Sequence, residues 1–204
     1  MTLVSALSAI TSMGVPVFST RDVAVRLRVP AAHASVILAR LAAFAHVVRL
    51  RRGVWALPGR VDPIALPEHL TAPFPAYVSL QSALYLNGMI SQVPALTYAV
   101  SLARTRRFVT PAGTVSVHHV QPSFFFGFED AGGGKLATPE KALVDVLYLT
   151  PARSRLFRAL PELEWPRRFS VQRARAIVRH IASARRRVLV ARKLEELVAN
   201  RRRG

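Results

Sequence analysis

Residues 47–57 read VVRLRRGVWAL. Two short β-branched and apolar runs, 47–50 and 54–57, flank the basic turn Arg51-Arg52-Gly53. This is the pattern of a strand, a glycine turn and a strand. Working back from it, Pro30 suits the first turn of a helix that runs through Ala43. Ala34, Ile37, Leu38 and Leu41 form its buried stripe, and His33, Ser35, Val36, Ala39 and Arg40 fall elsewhere. Ser19 or Thr20 caps a helix over Arg21–Leu27. Leu3, Leu7 and Ile10 mark a first helix between Thr2 and Met13, ended by Gly14-Val15-Pro16. Three helices followed by a hairpin predict a winged helix-turn-helix over residues 1–60. Its third helix is slim enough for the major groove, and its wing places arginines beside a phosphate backbone. The candidate DNA-contacting residues are Arg21, Ala32, His33, Ser35 and Arg40 on the helices and Arg49, Arg51 and Arg52 on the wing. The turn after the third helix often carries glycine. Phe44-Ala45-His46 stands there, so a non-glycine residue must take an unfavourable φ or the turn has another form.

The charge supports this reading. The 204 residues carry a net +18, and 26 of the 29 basic side chains are arginine. A polyanion is the default partner of such a chain. The charge is segregated: residues 1–60 carry +7, residues 61–150 carry −1 and residues 151–204 carry +12. A neutral middle is thus flanked by two basic regions. At 51% hydrophobic residues the chain is too apolar for a disordered tail. With no cysteine, neither a disulfide framework nor a thiolate zinc site is possible. No apolar run long enough to span a bilayer occurs, and no secretory signal pattern opens the chain. A cytoplasmic protein that does not bind membranes is expected.

Prolines 58, 63, 67, 73 and 75 mark a linker over 61–76, read as extended. A mixed α/β domain over 77–204 follows, giving an α+β protein overall. Ser79 caps a helix from Leu80 to Asn87, stopped by Gly88. Strands are expected at Tyr98–Leu102, at Phe108-Val109 and Val115–Val120 as a hairpin, and at Phe124–Phe128. A short strand is expected at Leu136-Ala137. Thr138 and Pro139 start a helix whose core stripe is Ala142, Leu143, Val146 and Leu147. Two basic amphipathic helices close the chain, around Ala174–Ala182 and Val190–Val198.

No constellation for catalysis emerges. His118 and His119 alternate in a strand and cannot chelate one metal together. Glu140, Lys141 and Asp145 lie on one helix, whereas a metal-dependent nuclease needs carboxylates converging on a cation. Gly132-Gly133-Gly134-Lys135 lacks phosphate-loop spacing. No catalytic residue, cofactor or metal is expected, and the chain is read as a non-enzyme.

The order of RRGVWALPG (51–59), YVSLQSALYLNGMI (77–90), TRRFVTPAGTVSVHHV (105–120), FFFGFE (124–129) and LATPEKALVDVLY (136–148) resembles the AbiEi-type antitoxins of abortive-infection toxin–antitoxin systems. The resemblance covers nearly the whole chain and is one of architecture. It implies an N-terminal winged helix that binds inverted repeats in the operon's own promoter and represses it. It also implies a C-terminal domain that neutralises a cognate nucleotidyltransferase-like toxin encoded alongside. The basic C-terminal face, Arg173, Arg175, Arg179, Arg185 and Arg186, is the candidate toxin contact. The rival readings are a stand-alone winged-helix transcriptional regulator and an RNA- or ribosome-binding protein.

Overall fold

The computed structural model describes residues 2–150 and 162–201. The last residues of the basic tail, 202–204, lie outside the described residues. The chain is α+β with two sheets. Helix α1 (Leu3–Thr11) is capped by the Thr2 hydroxyl, which accepts from the Ser5 N–H. Strand β1 (Val17–Ser19) leads into α2 (Thr20–Leu27) through a capping box, in which Ser19 and Asp22 each accept the other's backbone N–H. Arg28 closes α2 in the left-handed region, and α3 (Ala31–Ala43) follows Pro30. After it, Ala45 takes φ +55°, the unfavourable conformation expected of a turn without glycine. Strands β2 (Val48–Arg51) and β3 (Val54–Ala56) form the expected hairpin. They join β1 in a three-stranded sheet of order β1-β3-β2. Ala34, Ile37, Leu38 and Leu41 pack with Ile10, Phe18, Val23 and Trp55 as one core.

The linker segment departs from its extended reading. Residues Leu66–Thr71 form a helix, α4. Pro67 sits in its first turn, where a missing N–H costs nothing. Leu66 and Leu70, four apart, bury one apolar stripe. Strand β4 (Ala76–Val78) begins before the expected boundary.

Beyond it come α5 (Leu80–Leu86), β5 (Thr97–Ser101), β6 (Arg106–Thr110) and β7 (Gly113–His119). Strands β8 (Phe128–Ala131) and β9 (Gly134–Ala137) and helices α6 (Pro139–Leu149), α7 (Val171–Arg179) and α8 (Ala184–Arg201) complete the chain. The sheet has six strands in the order β6-β7-β5-β4-β9-β8, mixed parallel and antiparallel, with β6 at one edge. One face, including Tyr77, Tyr98 and Val100, packs on α5, α6, α7 and α8. The other face, with Ala99, Val115 and Val117, packs on Leu66 and Leu70 of α4 and on Leu50 and Ala56 of the β2–β3 hairpin. The small sheet is therefore docked on the large one through a shared apolar core.

Residues 124–127 do not form the expected strand. Pro122–Phe124 make one 3-10 turn, and extended structure starts only at Phe128. A strand would send Phe124, Phe125 and Phe126 to alternate faces. Instead the aromatic side chains gather with Tyr77, Tyr148 and Lys141. Gly127, at φ +79°, lets the backbone lie against Lys141, where a Cβ would stand 3.1 Å from its side chain.

Helix α6 is buried along Pro139–Leu147 on every side, wider than the expected stripe. Its three charged residues are therefore interior. Lys141 Nζ meets Asp145 Oδ1 at 2.5 Å, and both side chains are 0% exposed. Asp145 Oδ2 accepts the Tyr77 hydroxyl at 3.0 Å and the Ser79 hydroxyl at 2.7 Å. Burial pushes the Lys141 ammonium below its ordinary pKa, against the pull of Asp145. Burial, reinforced by Asp145, pushes the Tyr77 phenol well above its own.

Removing one partner leaves a charge buried without compensation. Asp145→Ala is expected to cost about 3–5 kcal/mol of unfolding free energy. Lys141→Met with Asp145→Asn keeps an acceptor for Tyr77 and Ser79, and should recover most of that loss in urea unfolding. Equal losses in the single and double variants would mean that the charge pair is incidental to stability.

Candidate nucleic-acid interface

Of the sequence-selected residues, Ala32, His33, Ser35 and Arg40 are all exposed on α3. His33, Val36 and Arg40 follow i, i+3, i+7 spacing and lie along one outward stripe. Their ends are about 10 Å apart, two helical turns. Ala32, Ser35 and Ala39 keep the neighbouring surface low, so a groove wall could approach the helix closely. Arg21, in the first turn of α2, is exposed as well.

The hairpin is tied to the helices by Trp55, whose indole N–H donates to the Thr20 hydroxyl at 3.0 Å. Arg49 lies over the Trp55 ring at 5.6 Å and is exposed. A register shift between Arg49 and Arg51 aligns Arg51 with Val54, and Gly53 makes the turn at φ +74°. Arg52 then projects from the tip, exposed.

Arg51 is placed differently from its neighbours. Its guanidinium donates to the His69 carbonyl at 3.1 Å and the Ala72 carbonyl at 3.2 Å. It thereby satisfies carbonyls at the C-terminus of α4, where a cation is also favoured by the helix dipole. Its primary contacts are structural, and the candidate contact residues of the hairpin reduce to Arg49 and Arg52.

Among the described residues no carboxylate lies within ion-pair distance of Arg21, Arg40, Arg49 or Arg52. Asp22, the one acid of residues 1–60, holds the N-terminus of α2. The surface formed by α3 and the hairpin is thus cationic without internal neutralisation.

The C-terminal arginines contrast with it. Arg173 donates to buried Glu140 at 2.9 Å, and Arg175 forms a two-bond fork with Glu195 at 2.8 and 2.7 Å. Arg186 lies over the Tyr148 ring at 4.7 Å. Of the five candidate toxin-contact residues, Arg179, Arg185 and Arg186 are exposed with no carboxylate partner among the described residues, and of these Arg179 and Arg185 have no ring contact either.

The two adjacent histidines diverge as expected. His118 is buried and lies 3.1 Å from the Ser116 hydroxyl, while His119 is exposed and meets the Ala103 carbonyl. Among the described residues no group of three or more His, Asp or Glu side chains is placed to hold a metal, and no helix is long and apolar enough to cross a membrane.

Sequence reasoning passed over Arg104, Arg106 and Arg107. The topology puts them at the β6 edge, next to β2 of the hairpin. Their signal was present as three arginines in four residues inside an otherwise neutral region.

No protein-family profile matches the chain, and no curated protein matches it.

Arg51 and Arg52 differ in what they hold. Arg51→Ala should lower unfolding free energy by about 1.5 kcal/mol through its lost charged hydrogen bonds. Arg52→Ala should stay within about 0.5 kcal/mol of the parent. Chemical denaturation of both variants checks the pair; equal stabilities would mean that Arg51 does not hold α4.

Proposed function

We propose that this chain is an antitoxin of the AbiEi type that also represses its own operon. In this reading residues 1–60 are a winged helix-turn-helix, α3 is the recognition helix, and the β2–β3 hairpin is the wing. The observation that carries the DNA-binding part is the outward face of α3 beside the hairpin, where Arg40, Arg49 and Arg52 have no carboxylate partner among the described residues. His33 and Arg40 can reach base edges, whereas Arg49 and Arg52 suit phosphates. Arginine presents a planar fork to either target.

The antitoxin part rests on the resemblance. Its support in the fold is that the resembling segments 77–90, 124–129 and 136–148 meet around one buried site. Tyr77 and Ser79 come from the first, Phe124 and Phe126 from the second, and Lys141 and Asp145 from the third. The partner would be a nucleotidyltransferase-like toxin, with both proteins in the cytoplasm. Arg179 and Arg185 are the arginines best placed to meet an acidic partner surface.

Two measurements test the two duties separately. A host expressing the neighbouring gene should stop growing, and should recover with this protein or with a version lacking residues 1–60. Toxicity that persists in the presence of the full chain removes the antitoxin reading and leaves a stand-alone regulator. For DNA, His33→Ala and Arg40→Ala should each narrow the affinity gap between promoter and random duplex by about 1–3 kcal/mol per lost base contact. Equal losses on both duplexes would reduce these residues to positioning the protein.

A further inference from the structure

A cleft of about 410 Å³ lies where the two sheets meet, and four of its lining residues are Arg51, Arg52, Arg106 and Arg107. Among the described residues no acidic side chain lines it. Two arginines come from the hairpin and two from β6, the edge strand of the large sheet, so neither sheet forms the cleft alone. Pairing Arg106 with Val117 and Phe108 with Val115 puts Arg106 and Phe108 on the face toward the hairpin. The Arg106 guanidinium lies 5.0 Å over the Phe108 ring, which orients it without neutralising it. Arg107, paired opposite Ser116, carries its side chain on the strand's other face, where its charge acts on Tyr98, and it borders the cleft only at the sheet edge.

Like charges gathered in this way repel one another. Among the described residues no carboxylate forms an ion pair with Arg52, Arg106 or Arg107. Arg51 is held by the α4 carbonyls, so Arg52 and Arg106 present the guanidinium donors of the cleft, with exposed Arg107 beside them at the sheet edge. Arg52 belongs both to this cleft and to the hairpin tip. The cleft therefore continues the cationic surface of the hairpin onto the second sheet, with Arg104 exposed just before β6. A row of guanidinium groups along two sheets suits successive phosphates of a strand better than one small anion.

We infer that Arg52 and Arg106 form a phosphate-binding cleft, extended at its rim by Arg107, through which the edge of the large sheet grips the DNA backbone beside the hairpin. This rests on the DNA-binding reading above and deepens it. The DNA-binding unit is then larger than residues 1–60. The docked sheets act as one surface, and the β6 contacts add affinity without adding sequence preference.

The test uses the full chain and a labelled duplex of arbitrary sequence, titrated over a range of KCl concentrations. Arg106→Ala with Arg107→Ala removes two exposed side chains and should leave the unfolding transition in place. It should make the plot of log affinity against log salt shallower by about 1.8, at ~0.9 per lost phosphate contact. Promoter and random duplexes should weaken by the same factor. Arg106→Lys with Arg107→Lys, which keeps the charge, should retain most of the slope. An unchanged slope in the alanine variant, with His33→Ala still altering sequence preference, overturns the cleft and leaves the DNA reading standing. Failure of the parent protein to bind any duplex overturns both. Tighter binding to duplex RNA than to DNA, with the same loss in the alanine variant, assigns the cleft to RNA and overturns the inference as stated.

Discussion

The pair of Lys141 and Asp145, fully removed from water, is the constraint around which the larger domain is arranged. Taking two charges out of water costs several kcal/mol each, and their attraction offsets this only when every remaining donor and acceptor is placed. The fold meets that condition with residues remote in sequence. Tyr77 at β4 and Ser79 just after it donate to the free carboxylate oxygen. The Lys141 ammonium lies 3.6 Å from the centre of the Phe124 ring, so part of its charge is met by an aromatic face. Gly127 leaves room for the backbone against the lysine stem. Leu80, fully buried, holds φ +56° next to Ser79, a strained conformation that the surrounding packing imposes. Strand β4, the aromatic turn and α6 thus have one mutual placement that leaves no charge without a partner.

Beside this pair, Glu140 faces the other way along the same helix. It accepts the Ser170 N–H at 2.7 Å and both Nε and a terminal nitrogen of Arg173. The start of α7 is thereby fastened to α6, and α7 carries Ala174, Ile177 and Val178 into the core. Across the sheet the fastening is apolar, through Leu50, Leu66, Leu70 and Val117, with Arg51 adding a polar tie to α4. One face of the sheet is fixed by buried charge and the other by hydrophobic contact. The hairpin belongs to the second, so its tip is held at a defined place beside β6.

The readable parts of the sequence were those in which local chemistry and global packing agree. Ser19 as a cap, Pro30, the stripe of Ala34, Ile37, Leu38 and Leu41, and Gly53 each act within one helix or turn. These local signals located the N-terminal elements to within a residue or two. What was hidden depended on partners far away in the chain. The three-residue strand β1 exists because Phe18 pairs opposite Trp55, and β4 because it is held between β5 and β9. The FFFGF run has strand propensity, but tertiary packing draws its rings around Lys141. Proline density obscured α4, although Leu66 and Leu70 stood at helical spacing. For the candidate interface, the exposed side of α3 was readable from periodicity. The exchange of roles between Arg51 and Arg52 was not, because it follows from a register shift and from the position of α4.

Where the charge is neutralised says more than its total. The C-terminal region carries the larger excess, +12 with its own Glu195 and Glu196 already counted, and Glu140 of α6 meets one more of its arginines, Arg173. Its two exposed pairs, Arg175 with Glu195 and Arg192 with Glu196, bridge or stiffen α7 and α8 and weaken the outward field there. Around the hairpin no such pairs form among the described residues, and Arg40 of α3, Arg49 of β2, Arg52 of the turn and Arg106 of the β6 edge keep their full charge toward solvent. Mutual repulsion on that side destabilises the empty surface, and a polyanion relieves it on binding. In the DNA-binding reading proposed above, it is this surface without internal partners, and not the region of larger net charge, that would face the nucleic acid. The more basic helices, with Glu195 and Glu196 interspersed, present a surface of both signs.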